Sequence, residues 1–267
     1  MQFLSSYLKK RSLVLGNKGF TLIELILVIL LLGIIGVMGG ELISTAFKGF
    51  SDTDARMELF EEGKMALMRM EREIHHMVPN AIAIDNPDSA TISFGMIDDQ
   101  ALQGVSGKFE RVVEDDKKIH DIGNTVLAIG SLISIYNRSW VEFSSTKGDI
   151  RQIYETTAEE GNMKLHKAIL GGEAAISRYY PIKKAVRYHL NGSVLSRTET
   201  SVTTVSDFAN VLTTAPSYPL LSHIKDFSFS YSPATLTRNA LVRINFTLQN
   251  NENSLNFHKE IQVRNVP

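Results

Sequence analysis

Between Phe20 and Gly40 the sequence holds one ionisable side chain in 21 residues, Glu24. A helix of that length rises about 30 Å, the thickness of a bilayer's hydrocarbon core. The segment therefore reads as a helix that crosses a membrane. A lone carboxylate at the centre of such a span costs roughly 2.5–3.5 kcal/mol. Glu24 lies near one end, five residues from Gly19, where the cost is smaller. Its presence still calls for a partner.

Residues 1–18 contain Lys9, Lys10, Arg11 and Lys18 and no acid. Positive charge before a span favours a cytoplasmic N-terminus, with the rest of the chain on the far side. An ordinary secretory signal places a small-residue cleavage site after its apolar run. Here no Ala-x-Ala follows Met38, and the basic-Gly-Phe junction of Lys18, Gly19 and Phe20 precedes the run. Gly33, Gly36, Gly39 and Gly40 fall inside it, and Gly36 and Gly40 form a small-xxx-small pair that permits close helix approach. Glycine also weakens a helix by about 1 kcal/mol per residue, so a soft point is the competing reading. Glycine is common in membrane helices in any case.

Past the membrane the helix is expected to continue. Ile43, Ala46, Phe50, Met57, Phe60, Leu67, Ile74 and Val78 recur at spacings of threes and fours, with charged residues between them. That predicts an amphipathic helix ending near Val78, since the residue before Pro79 avoids helical geometry. Gly49 and Gly63 are expected to interrupt it. Met65, Met68, Met70 and Met77 read as core and flank packing.

Beyond Pro79 the apolar period changes to two. Strands are expected at 81–84 and 91–96, joined by a turn at 85–88. Residues 97–119 read mostly as loop, with short strands at 125–129 and 132–136 and a helix or strand at 163–170. Residues 185–190 and 193–198 flank Asn191 and Gly192, the strongest short-range hairpin signal. Strands at 223–231, 241–248 and 255–263 alternate apolar and polar residues, the pattern of half-buried antiparallel strands. The fold class is α+β: a long N-terminal helix whose amphipathic half packs on an antiparallel sheet.

The run from Lys18 through Gly19, Phe20, Thr21, Leu22, Ile23 and Glu24 into an unbroken apolar helix resembles the processing signal of type IV pilins and pseudopilins. The resemblance implies cleavage by a membrane prepilin peptidase between Gly19 and Phe20, and methylation of the new N-terminus at Phe20. It also implies that Glu24 faces the N-terminal ammonium of a neighbouring subunit. The chain then has a cleaved leader at 1–19, a membrane or filament-core half-helix at 20–43 and a globular domain at 44–267. The segments at 70–81, 226–233, 238–244 and 258–267 look like the O-type minor pilins of mannose-sensitive haemagglutinin (MSHA) pili, a group similar to J-type minor pseudopilins. Many relatives carry a disulfide, and this chain has no cysteine.

Composition narrows the function classes. Lys and Arg number 28 against 29 Asp and Glu, a net charge of −1, so nothing electrostatic points to nucleic acid. The lack of cysteine excludes thiol catalysis, thiolate-bound zinc and disulfides. His75 and His76 are adjacent on a helix, so their side chains diverge by about 100° and do not readily share a metal. The acids Asp98, Asp99, Glu114, Asp115, Asp116 and Asp121 match no EF-hand spacing and read as a solvated run. No nucleophile, zincin or P-loop motif occurs, so no enzyme, cofactor or metal is expected. The expected role is a minor pilin that initiates or caps a filament. Its expected partners are the peptidase, other minor and major pilins and the inner-membrane assembly platform. The alternatives are a J-type pseudopilin of a type II secretion system and a tip adhesin. If the anchor and the sheet domain are separable, removing residues 1–43 leaves a soluble, folded remainder. A truncated chain that stayed insoluble in every buffer would refute that division.

Overall fold

The computed structural model describes residues 19–85, 90–98, 107–122, 127–157, 163–171, 176–203, 208–233, 239–250 and 253–263. The basic leader 1–18, most of the turn expected at 85–88, Asp99, Arg238, and residues 125 and 126 of the strand expected at 125–129 lie outside them. The chain divides into two compact units, 1–53 and 54–267. Helix α1, Leu22–His75, supplies the whole helical content described for the first unit and continues as the opening element of the second.

In the second unit, strands β1 (Met77–Ile84) and β2 (Thr91–Ile97) pair antiparallel, and β2 pairs with β8 (Ile176–Asn191). On β8 the residues from Lys184 onward also pair with β9 (Val194–Ser201), which pairs in turn with β10 (Ser217–Leu221). A separate meander holds β11 (Ile224–Ser232), β12 (Leu241–Asn250) and β13 (Asn253–Gln262). From Leu59 to Ile74 the helix shares one core with both sheets: Phe94, Val186, Tyr188 and Leu195 on one side, Phe229, Val242, Ile244, Phe246 and Ile261 on the other.

The buried line of α1 differs from the expected one. Met57 and Phe60 are exposed and Leu67 is half-buried, while Leu59, Gly63, Ala66, Met70, Glu73 and Ile74 face the core. A search for large apolar residues misses this face because two of its members are small and one is charged. Small residues are what let the strands approach. A Cβ on Gly63 would lie 2.4 Å from the ring of Phe257 in β13. Gly63 is therefore a seat for an aromatic ring, not an interruption. The methionines divide as well: Met70 and Met77 are fully buried, while Met65 and Met68 are exposed.

The helix also stops earlier than expected, at His75, and Pro79 lies inside β1. Proline has no ladder donor, and the β1–β2 register shifts between Met77 and Ile82, where Pro79 sits. In the β8–β9 hairpin Asn191 pairs with Val194, so the two-residue loop is Gly192-Ser193. Gly192 takes φ 62° while Ser193 stays negative, as a turn with glycine first requires.

Within the stretch expected to be loop, β3 (Lys108–Arg111) and the start of β4 (Lys118–Asp121) are strand; β5 (Leu132–Ile135) falls on the strand expected at 132–136, β6 (Ile153–Thr157) forms where no element was expected, and β7 (Met163–Leu165) takes the strand alternative at 163–170. Residues 127–130, by contrast, are not strand. The antiparallel pairings run β8–β3–β4–β7–β6–β5 and return to β8, a closed six-stranded barrel. Each strand sends a buried side chain inward: Phe109, Ile119, Ile133, Tyr154, Leu165 and Tyr179. Helix α2 (Trp140–Ser144) begins at Ser139, whose side chain accepts the Glu142 N–H, and it presses Phe143 onto Gly95 of β2. Helix α3 (Phe208–Thr214) adds Leu212 to that same smaller core.

One buried polar knot ties the helix to the large sheet. The Glu73 carboxylate accepts from the Tyr188 hydroxyl and, at 2.9 Å, from Arg197 Nε. Arg197 also reaches Glu199 at 2.7 Å, and Lys184 bonds to Glu199 as well. Burial opposes the charge on Arg197, yet the bonds and charges of Glu73 and Glu199 outweigh it and raise its pKa. Glu73→Ala leaves that guanidinium buried without its main partner, and the expected loss is about 3–5 kcal/mol in denaturant unfolding of the second unit. Gly63→Ala forces the Phe257 ring aside, at about 1–3 kcal/mol by the same measurement. A loss below about 0.5 kcal/mol in either variant would show that the contact is not needed.

Candidate functional site

The residues singled out in the sequence, Gly19, Phe20, Glu24, Gly36 and Gly40, all belong to the first unit. Leu22 opens the helix, and Thr21 caps it. Its Oγ1 accepts the Glu24 N–H at 3.3 Å, and its carbonyl accepts the N–H groups of Glu24 and Leu25 at 3.1 and 3.2 Å. Threonine three residues before a glutamate, ahead of an apolar run, is a capping-box sequence. The capping pattern is carried by the same residues as the resemblance to a processing signal. Glu24 thus has a local role: it places negative charge in the first turn, where the helix dipole favours it. Its carboxylate has no ion-pair partner among the described residues.

Around Glu24 the side chains are apolar and bare. Phe20 is 77% exposed, and the most apolar stretch of α1 has no residue buried. The helix is long and apolar enough to cross a membrane. Gly36 and Gly40 are one helical turn apart on one face, and a Cβ added at either would meet nothing within 4 Å. Nothing among the described residues therefore uses their smallness. The hydroxyls of Thr45 and Thr53 donate back to the carbonyls of Glu41 and Gly49, at 2.9 and 2.7 Å, which satisfies their polarity within the helix.

Two concave surfaces of the second unit lie beside residues singled out in the sequence or in the barrel. Met65, Met68 and Arg72 of α1, with Leu220 and Ile261, line a groove of about 1040 Å³. His75 and His76 sit at its end, where their Nδ1 atoms donate to the carbonyls of Gln262 and Arg72 at 3.1 and 2.8 Å. A cavity of about 410 Å³ beside the barrel is lined by Tyr136, Asn137, Glu142, Asp149 and Gln152. Three of the acids expected as a solvated run have partners. Asp116 pairs with Arg111 at 2.8 Å, Asp115 accepts the Lys117 N–H, and Asp121 accepts from the Tyr179 hydroxyl. Among the described residues no group of three or more His, Cys, Asp or Glu is placed to hold a metal.

No family model matches the sequence, and neither a curated protein nor a solved structure matches it. The functional reading thus rests on the residues themselves. Thr21→Ala is expected to loosen the first turn by about 0.5–2 kcal/mol, read as faster amide hydrogen exchange at Glu24 and Leu25 in detergent micelles. Unchanged exchange there would show that the cap is idle.

Proposed function

We propose that the chain is a minor type IV pilin of the MSHA kind. It would help initiate or cap a filament by stacking its N-terminal helix against those of other pilins. The observation that carries this reading is the pairing of opposites at the start of α1: an apolar stretch with no residue buried, and within it Glu24, whose carboxylate has no ion-pair partner among the described residues. In an apolar bundle that carboxylate is costly until an ammonium meets it. Cleavage after Gly19 would create such an ammonium at Phe20, and a neighbouring subunit would bring it to Glu24. The open Cβ positions at Gly36 and Gly40 support close approach of a second helix.

On this reading the protein starts in the inner membrane with its globular part in the periplasm, and it ends in a pilus. Prepilin peptidase, other pilins and the assembly platform are its partners. A subunit at the extreme tip has no neighbour above it to supply an ammonium, so a chain that keeps Glu24 belongs below the tip or along the shaft. The cavity beside the barrel favours a second reading, a subunit that also displays a binding surface as an adhesin does. A J-type pseudopilin would share all the helix features. Deletion separates the two systems: a pilin's loss removes surface filaments, a pseudopilin's loss stops protein secretion.

Intact mass of the membrane-extracted protein is expected to begin at a methylated Phe20, and Gly19→Leu is expected to leave the precursor uncut. A mature chain still starting at Met1 in peptidase-positive cells would overturn the proposal. Glu24→Ala should be processed normally but lose co-purification with other pilins, on the scale of about 3–5 kcal/mol where the pair is fully desolvated. Thr21→Ala is the control, since it loosens the same turn and keeps the carboxylate. Equal assembly of Glu24→Ala and wild type would remove the carboxylate from any docking role.

A further inference from the structure

Strand β7 is three residues long, yet it closes the barrel between β4 and β6. Its seam to β6 has two regular pairs, Thr156 with Leu165 and Thr157 with Lys164. His166 then extends the seam twice over. Its backbone N–H donates to the Glu155 carbonyl at 3.0 Å, and its ring Nδ1 accepts the Glu155 N–H at 2.9 Å. An imidazole nitrogen here does the work of a ladder carbonyl. Accepting at Nδ1 requires the neutral ring with its hydrogen on Nε2.

The surroundings of the ring are cationic. Lys167 Nζ donates to the carbonyls of Gly148 and Arg151 and lies 4.8 Å over the Tyr154 ring. The Arg151 side chain is buried and donates to the Thr203 carbonyl. The Tyr154 ring stands 6.4 Å from the imidazole. The charged groups that face His166 are thus Lys167 and Arg151, opposed by Glu155 on β6. Burial, then the Lys167 charge, hold His166 below its ordinary pKa. Burial and Arg151 likewise lower Lys167 to about 8, and burial pushes Tyr154 up to about 12. Further along, the Leu170 N–H donates to the Tyr154 hydroxyl at 2.9 Å, and Ile169 N–H to the Asp116 carbonyl at 3.0 Å. Residues 163–171 form a strap across the barrel.

We propose that protonation of His166 unzips the β6–β7 seam and frees this strap, so that the barrel is an acid-released element. Protonation turns Nδ1 into a donor that faces the Glu155 N–H. The ladder bond is lost, and a positive charge appears beside Lys167 and Arg151. Because the folded pKa lies below the unfolded value of about 6.5, the seam keeps its full strength above that pH and weakens as pH falls below it. This device is independent of the assembly role proposed for the N-terminal helix.

Hydrogen exchange of the full-length chain in detergent micelles, at about pH 7.5 and about pH 5.0, tests it after correction for intrinsic rates. In wild type the Glu155 amide and the strap lose at least about tenfold in protection on acidification, while the β12–β13 hairpin holds. In His166→Asn an amide oxygen stands near the Nδ1 position and cannot titrate, so the loss stays under about twofold. Three results overturn the proposal: undiminished wild-type protection at the acid pH, an equal loss in the β12–β13 hairpin, or an equal loss in His166→Asn. If His166→Asn does not fold, the wild-type titration decides alone. Seam exchange must then rise with one midpoint below about 6.5.

Discussion

Strand β8 is hydrogen-bonded to other strands along its whole length, and the second unit is arranged around that constraint. Its sixteen residues cannot be buried by one sheet of ordinary strands. The first half serves β3 and β5 and closes the barrel, and the second half serves β2 and β9 and builds the sheet beneath the helix. Val186 and Tyr188 reach the helix-bearing core, while Ala185 enters the smaller core under α2 and α3, joined by Ile182 because the β2–β8 register shifts at Lys183. The alternation of a single strand thereby places two cores on opposite faces. A slip of one residue in β8 would exchange those faces.

The two units handle polarity in opposite ways. In the second, the charges of the knot beneath the helix meet one another: Glu73 meets Tyr188 and Arg197, and Arg197 meets Glu199. Burial and the adjacent Glu73 charge raise the Tyr188 pKa, so its hydroxyl stays a donor. In the first, the helix satisfies its own hydroxyls and caps its own start but leaves a carboxylate and a bare apolar surface.

Most of the strands and the α+β class were legible because period-two alternation and the long apolar helix are local signals. The 223–231, 241–248 and 255–263 segments became β11, β12 and β13 within two residues at each end. The buried face of α1 was not legible. Gly63 and Ala66 carry no apolar weight, and their value lies in the Phe257 ring and the strands that come close to them. The barrel was hidden for a related reason. Strands of three to five residues, such as Lys118–Asp121 and Met163–Leu165, are too short for a period to register, and the pairing of these two with each other joins segments about 45 residues apart. At the candidate site the capping pattern from Thr21 to Glu24 was readable in the chain, and the fold supplied the bond.

By itself the sequence determined the membrane-competent helix, the isolated Glu24 at its start and the hairpin between β8 and β9. These depend only on residues near one another along the chain. The tertiary structure decided which face of α1 is buried, where the helix stops, that Glu73 is an interior charge and that 108–181 closes into a barrel. Each of these is set by contacts across a hundred or so residues, such as Glu73 with Arg197, or by a ring of pairings that exists only once all its members are in place. Local propensity has no access to that closure, because the free energy that fixes it is released only when the last strand joins.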